Sequence, residues 1–258
     1  MRVDQAGEGG QPAQVELRGV RRLLIGGADL IKCIGTGAVL TRGGVPGAPE
    51  LSEAEIRAAV EEARWYDAFV AVHAHGAEGA KRAIRAGARS VEHGSFLDDE
   101  AIALLADMGT FFSVDIYDGE WVLGPDGPND WPADTMRKMR EAQVSCEAVF
   151  RKAFEAGVRI AFGTDSGVYP HGLNGRQLAS YVRLGMRPID AIRSATTTAA
   201  ELMGWSDRVG SLAPGRFADL VALTGDPLAD VATLESPVVV LKGGAIVVDR
   251  RESARGPR

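Results

Sequence analysis

Residues 69–94 read FVAVHAHGAEGAKRAIRAGARSVEHG, and this stretch decides the fold. The apolar run Phe69-Val70-Ala71-Val72 ends in His73 and His75. A helical pattern from Ala77 to Arg85 stops at Gly87, and a second short apolar run ends in Glu92-His93-Gly94. Strand, helix and strand at this length form a parallel crossover, right-handed by the general rule. Ligands of α/β folds bind beyond the carboxyl ends of parallel strands, and three of the chain's four histidines sit there. One such histidine alone is readily a structural residue. Two that end successive strands point into one space, and neutral imidazole is the commonest metal ligand. His73 and His93 are therefore the expected metal pair. His75 shares their face only if the strand keeps its pleat that far, so it is ligand, substrate contact or neither.

Upstream, residues 1–17 carry three glycines and little periodicity and are expected as a loop or frayed lead-in. Val20 to Ile25 reads as the end of an amphipathic helix stopped by Gly26-Gly27, and residues 28–34 as a short strand with Lys32 in its middle. That lysine either faces solvent or has its charge used, because burying it bare is costly. Residues 41–50 (TRGGVPGAPE) are a Gly/Pro-rich loop long enough to be a substrate loop or lid. Ser52-Glu53-Ala54-Glu55 is a capping box opening a helix to about Tyr66.

Downstream, Asp98-Asp99-Glu100 opens a helix that Gly109 stops, and residues 110–116 form a strand followed by Tyr117. Residues 118–131 are expected as a second loop, and Pro132 as the start of a long helix ending at Gly157. Its Met136 and Met139 read as core filler. Residues 158–163 are a strand running into Gly163-Thr164-Asp165-Ser166-Gly167. Asp165 is a helix cap, a metal ligand or a proton shuttle, and His171 six residues on favours a functional reading. Helices are expected over 173–184 and 188–203. From Val209 the alternation ends in short β runs split by Pro-Gly, Gly-Asp-Pro and Gly-Gly turns. The expected units are a lead-in over 1–19, an α/β part over 20–206, a small β part over 207–250 and a tail over 251–258. Five strands with intervening helices give a parallel sheet, too few to close an eight-stranded barrel.

Composition narrows the function. The chain has 258 residues, 45% apolar and 25% charged, as in ordinary soluble globular proteins. A net charge of −6 offers no basic patch for nucleic acid and speaks against anionic membranes. Cys33 and Cys146 form no CxxC pattern, so a disulfide framework is not expected. No apolar run of membrane-spanning length and no signal peptide is read, so a cytoplasmic enzyme is expected.

The ordered set IKCIGTG, VHAHG, VEHG, GTDSG and a Pro-Gly-Arg-Phe-Ala-Asp-Leu-Val segment resembles the metal-dependent amidohydrolase superfamily, in its imidazolonepropionase/prolidase-like branch. The resemblance covers nearly all of residues 20–248. It implies a (β/α)8 TIM-like barrel with one or two divalent metals, usually zinc, and a small β-sandwich. By resemblance, Lys32 is the strand-four lysine, often carboxylated, that bridges two metals. His73 and His93 are the strand-five and strand-six ligands, and Asp165 is the strand-eight ligand and proton shuttle. His171 and Tyr117 fall where this branch contacts substrate, with His75 grouped beside them. The family's strand-one His-X-His pair has no match here. The expectation is the carboxy-terminal two-thirds of an amidohydrolase, an incomplete barrel of about strands four to eight with part of the sandwich.

The implied activity is hydrolysis of amide C–N bonds in small substrates by metal-activated water, of dipeptidase or prolidase type. A cyclic amidase or lactonase is the near variant. A different class is an inactive fragment, or a subunit that works only when a homo-oligomer or partner chain supplies the missing strands. A third is a metal-free α/β binding module, in which case the chain would bind no zinc and metal would not raise its melting temperature.

Overall fold

A computed structural model describes residues 12–128 and 130–251, with the backbone alone over 12–16. The first eleven residues of the expected lead-in, and the tail beyond residue 251, lie outside the described residues.

The order is α1 (Pro12–Ile25), β1 (Leu30–Ile34), α2 (Glu53–Arg64), β2 (Phe69–Gly76), α3 (Ala77–Ala86), β3 (Ser90–Phe96), α4 (Asp99–Met108), β4 (Phe111–Val114), α5 (Ile116–Leu123), α6 (Ala133–Glu155) and β5 (Ile160–Phe162). Helices α7 (Arg176–Arg183), α8 (Pro188–Ser194) and α9 (Thr197–Leu202) follow. Strands β6 (Leu220–Ala222), β7 (Val239–Lys242) and β8 (Ala245–Asp249) complete the chain. Strands β1 to β5 pair in sequence order, all parallel. Strands β6 to β8 form a separate antiparallel sheet.

Local chemistry explains the boundaries. The Ser52 side chain accepts from the Glu55 amide, and the Glu55 carboxylate accepts from the Ser52 amide at 2.7 Å, a complete capping box on α2. Asp98 caps α4 by accepting from Ala101 N–H at 2.8 Å. Gly87 and Gly109 end α3 and α4 with φ of 88° and 63°, the left-handed turn that glycine takes without a Cβ penalty. Between the sheet and helices lies one apolar core containing Val72, Val91, Phe112, Ile56, Leu105 and Phe150. Each such side chain contributes roughly 1.5–3 kcal/mol on full burial.

Several expectations are corrected. Helix α1 begins at Pro12, inside the span read as lead-in; proline suits the first helical turn, and Val20 and Leu24 are buried one turn apart. Residues 118–123 belong to α5 and are not loop. The span 188–203 is two helices, interrupted at Thr196, whose hydroxyl bonds back to the Ile192 carbonyl at 2.7 Å.

The 41–50 loop is tied down through residues 47–50. Gly37 N–H bonds Ala48 O, Gly47 N–H bonds Gly37 O, and Glu50 N–H bonds Gly35 O, each at 2.9 Å. Gly47 also packs directly on Gly76 at the end of β2. In the second sheet the apolar side chains Val221, Ile246 and Val247 are half exposed.

Candidate metal centre and cavity

The carboxyl ends of the parallel strands meet at a cavity of about 290 Å³. Lys32, His73, His75, His93, Asp115, Asp118 and Asp165 line it, with Ile34, Val39, Met139 and Val168 as apolar wall. Helix α6 closes one side through Met139, Ala142, Gln143 and Cys146.

Strand β2 continues through Gly76, so His73 and His75 both lie within it and two residues apart. That places them on one face, and their rings are 4.7 Å apart. His93 comes from β3, where its φ of 70° and that of Gly94, 59°, break the pleat. Position 94 has no room for a Cβ, which would press on the Phe112 ring. The kink turns the His93 ring to within 4.4 Å of His73 and 4.9 Å of His75. Asp165, on the loop after β5, also has a left-handed backbone, with φ of 45°.

Two donor groups result among the described residues: His73, His75 and His93, and His93, Asp115 and Asp165, each with ligand atoms within 4.8 Å of one another. His73 Nε2 is buried with no hydrogen-bond partner, which for a polar atom is costly unless something binds it. Imidazole nitrogens beside carboxylate oxygens suit zinc and similar divalent metals. The residues therefore fit the metal that the sequence resemblance implies.

The electrostatics agree with neutral His73 and His75 imidazoles facing the cavity. Burial, then the charges of His93, His75 and Lys32, pull His73 down from 6.5 to about 2. Burial and His93 pull His75 down to about 3. Burial opposes protonation of His93 too, but the Asp115 charge and hydrogen bond raise it on balance. His93 Nδ1 lies 2.9 Å from Asp115 Oδ2. Burial would raise Asp115, yet His93 holds it below the usual carboxylate range. Burial and the neighbouring Asp115 push Asp118 well above that range.

Lys32, His73, His75, His93 and Asp165 all line the cavity. Lys32 points its ammonium at Glu92, 3.9 Å away. Tyr117 and His171 do not line the cavity. The Tyr117 hydroxyl accepts from Arg176 at 2.9 Å, and exposed His171 faces Ser166 at 3.2 Å. Asp115 and Asp118 are absent from the sequence-based candidates, although Asp115 directly follows β4, the same signal that singles out Asp165.

Residues 10–247 match the amidohydrolase family, and the chain belongs to that family. It is 33% identical over 234 residues to ochratoxinase of Aspergillus niger, an alignment covering 89% of this chain and 48% of that protein. It is 29% identical over 177 residues to imidazolonepropionase of Geobacillus kaustophilus, covering 66% of this chain and 37% of that one. A crystal structure of a Xaa-Pro dipeptidase with methionine bound in its active site superposes with a TM-score of 0.88 at 38% identity, over 96% of this chain and 63% of that one. The chain thus spans about half the length, or less, of the two relatives matched by sequence. No helix among the described residues is long and apolar enough to cross a membrane.

Proposed function

We propose that this chain carries the metal-binding half of a hydrolase acting on amide C–N bonds in small substrates, of dipeptidase or prolidase type. The observation that carries the reading is the convergence of His73, His75, His93, Asp115 and Asp165 on one cavity around an unpartnered buried imidazole nitrogen. His73, His93 and Asp165 would hold a divalent metal, zinc by the chemistry of the set, and Lys32 would join them if carboxylated. Such a metal supplies a water made acidic enough to attack at neutral pH and a Lewis acid for the carbonyl oxygen. Asp165 takes the proton of the attacking water and returns it to the leaving amine nitrogen. Asp115 fixes the His93 ring through Nδ1, so that Nε2 faces the site. The apolar wall of Val39, Met139 and Val168 receives a hydrophobic side chain and limits water. His171 and Tyr117 are left to contact substrate parts beyond the cavity.

In this reading β1 to β5 correspond to strands four to eight of a (β/α)8 barrel, the second sheet is part of a β-sandwich, and the protein works in the cytoplasm. The test is hydrolysis of a dipeptide panel by the zinc-loaded chain beside Asp165→Asn. Turnover lost in the variant with zinc retained supports the reading; equal turnover in both overturns it.

A second reading has its own observation. The sheet order leaves β1 and β5 each with a single strand partner, and Ile34 and Leu40 near β1 are exposed. Open edges of this kind invite pairing, so a homo-oligomer or partner chain that supplies further strands is the alternative. Turnover by a chain that light scattering shows to be monomeric overturns it.

A further inference from the structure

We infer that Gln143 is a specificity-determining residue, whose Oε1 accepts a hydrogen bond from the free α-amino group of a substrate that seats its first, apolar side chain on the neighbouring wall. The inference rests on the proposed amide-hydrolase function and names the end of the substrate that this side of the cavity reads.

Gln143 lines the cavity from α6, and its amide is held one way round. Nε2 donates to Glu147 Oε1 at 3.2 Å, and an ionised carboxylate only accepts. Burial would raise Glu147, but hydrogen bonds from Arg183 and from Gln143 itself hold it below its usual range. Arg183 fastens the same carboxylate at 3.1 Å and also reaches Glu120 of α5 at 2.6 Å. With the nitrogen assigned, the remaining atom is Oε1, which accepts no hydrogen bond among the described residues. It lies over Gly119, where a Cβ would collide with it, in the wall that also carries Asp118. A role only in joining α5 to α6 would leave that acceptor unused. Met139 stands four residues before Gln143, about one helical turn away on the same face, and lines the cavity with Val39 and Val168. An acceptor and an apolar wall side by side match an amino-terminal residue, whose amine and side chain leave the same carbon. Charge points the same way. Lys32 is the sole lysine or arginine among the described lining residues, and its ammonium faces Glu92. The corner at Gln143 therefore offers no cation to a substrate carboxylate and suits an ammonium.

The test compares L-leucinamide with 4-methylpentanamide, the same molecule without its amine, by ligand-observed NMR titration at pH 7. Both are titrated into the chain as purified and after zinc loading, because an amine–metal contact would survive removal of Gln143. The wild type is expected to prefer leucinamide by at least about 10-fold, and Gln143→Met to lower that preference by about 10-fold or more with 4-methylpentanamide binding unchanged. Glu147→Gln, which removes the charge that orients the amide, lowers the preference without altering the cavity wall, and serves if Gln143→Met does not fold. Equal wild-type affinities, no binding of either amide, or a preference that persists in both variants overturns the inference. The readout is binding, so it is separate from turnover. A preference that depends on Gln143 in a chain that hydrolyses no dipeptide leaves the inference standing and overturns the hydrolase reading.

Discussion

Gln177 holds together the two loops that carry Asp115 and Asp165, and its removal is the most informative perturbation of the scaffold. The side chain is fully buried on α7. Its Nε2 donates to Val114 O at 3.2 Å and to Gly163 O, at the ends of β4 and β5. Its Oε1 accepts from Tyr117 N–H at 3.2 Å. That amide lies in the first turn of α5, where no intrahelical acceptor exists. Asp115, at the cap position, makes no side-chain cap bond because its carboxylate is spent on His93. In Gln177→Leu the Val114 carbonyl keeps the Tyr181 hydroxyl at 2.5 Å, while Tyr117 N–H and Gly163 O lose the amide. Two buried groups without Gln177, at about 1–3 kcal/mol each and partly offset by the leucine's burial, give a loss of about 3 kcal/mol. For a domain of this size the melting temperature falls by about 6–12 °C. Gln177→Glu keeps the shape but aims carboxylate oxygens at two carbonyls, so it is no more stable than Gln177→Leu. Calorimetry and urea titration of the metal-free protein measure both. A fall below about 2 °C in Gln177→Leu would refute the reasoning, because the orphaned groups would then have found other partners.

Gly76→Ala places a Cβ against Gly47, whose carbonyl carbon would be 2.8 Å away. Backbone must move, so a loss of about 1–3 kcal/mol is expected, together with faster tryptic cleavage at Arg42; an unchanged digestion rate contradicts the tied loop. The metal-free chain should also lose stability as pH falls below about 6.5. His73 and His75 have folded values below the unfolded one, so the unfolded chain gains their protons first and stability declines from the unfolded value downward. His93 and Asp118 shift the other way and oppose that decline. Each proton taken up in net on unfolding steepens the decline by about 1.4 kcal/mol per pH unit. Urea midpoints at pH 7 and 5.5 measure this, and equal midpoints refute it.

The fold was legible because its signals are local. The capping box at Ser52, the stops at Gly87 and Gly109 and the apolar runs before His73 and His93 need only neighbours in sequence. His75 was left open because its face depends on how far β2 keeps its pleat, which pairing with β1 and β3 decides. Asp118 was not legible at all. It reaches the cavity only because residues read as loop form the first turns of α5, and its raised pKa comes from burial beside Asp115. The close approach of Gly47 to Gly76 escaped for a similar reason, since it depends on contact with a distant strand.

Among the described residues, His93 and Asp165 are two of the three non-glycine residues with a positive φ. A backbone held there costs of order 1–3 kcal/mol. For His93 that cost is hard to relieve, since removing the ring strands the buried Asp115 charge. Asp165 is exposed, and a glycine in its place would relax the chain with little lost in packing. A library selected for heat resistance alone would therefore collect Asp165→Gly clones, and thermostability would advance at the expense of the proton carrier unless every round were also screened for turnover.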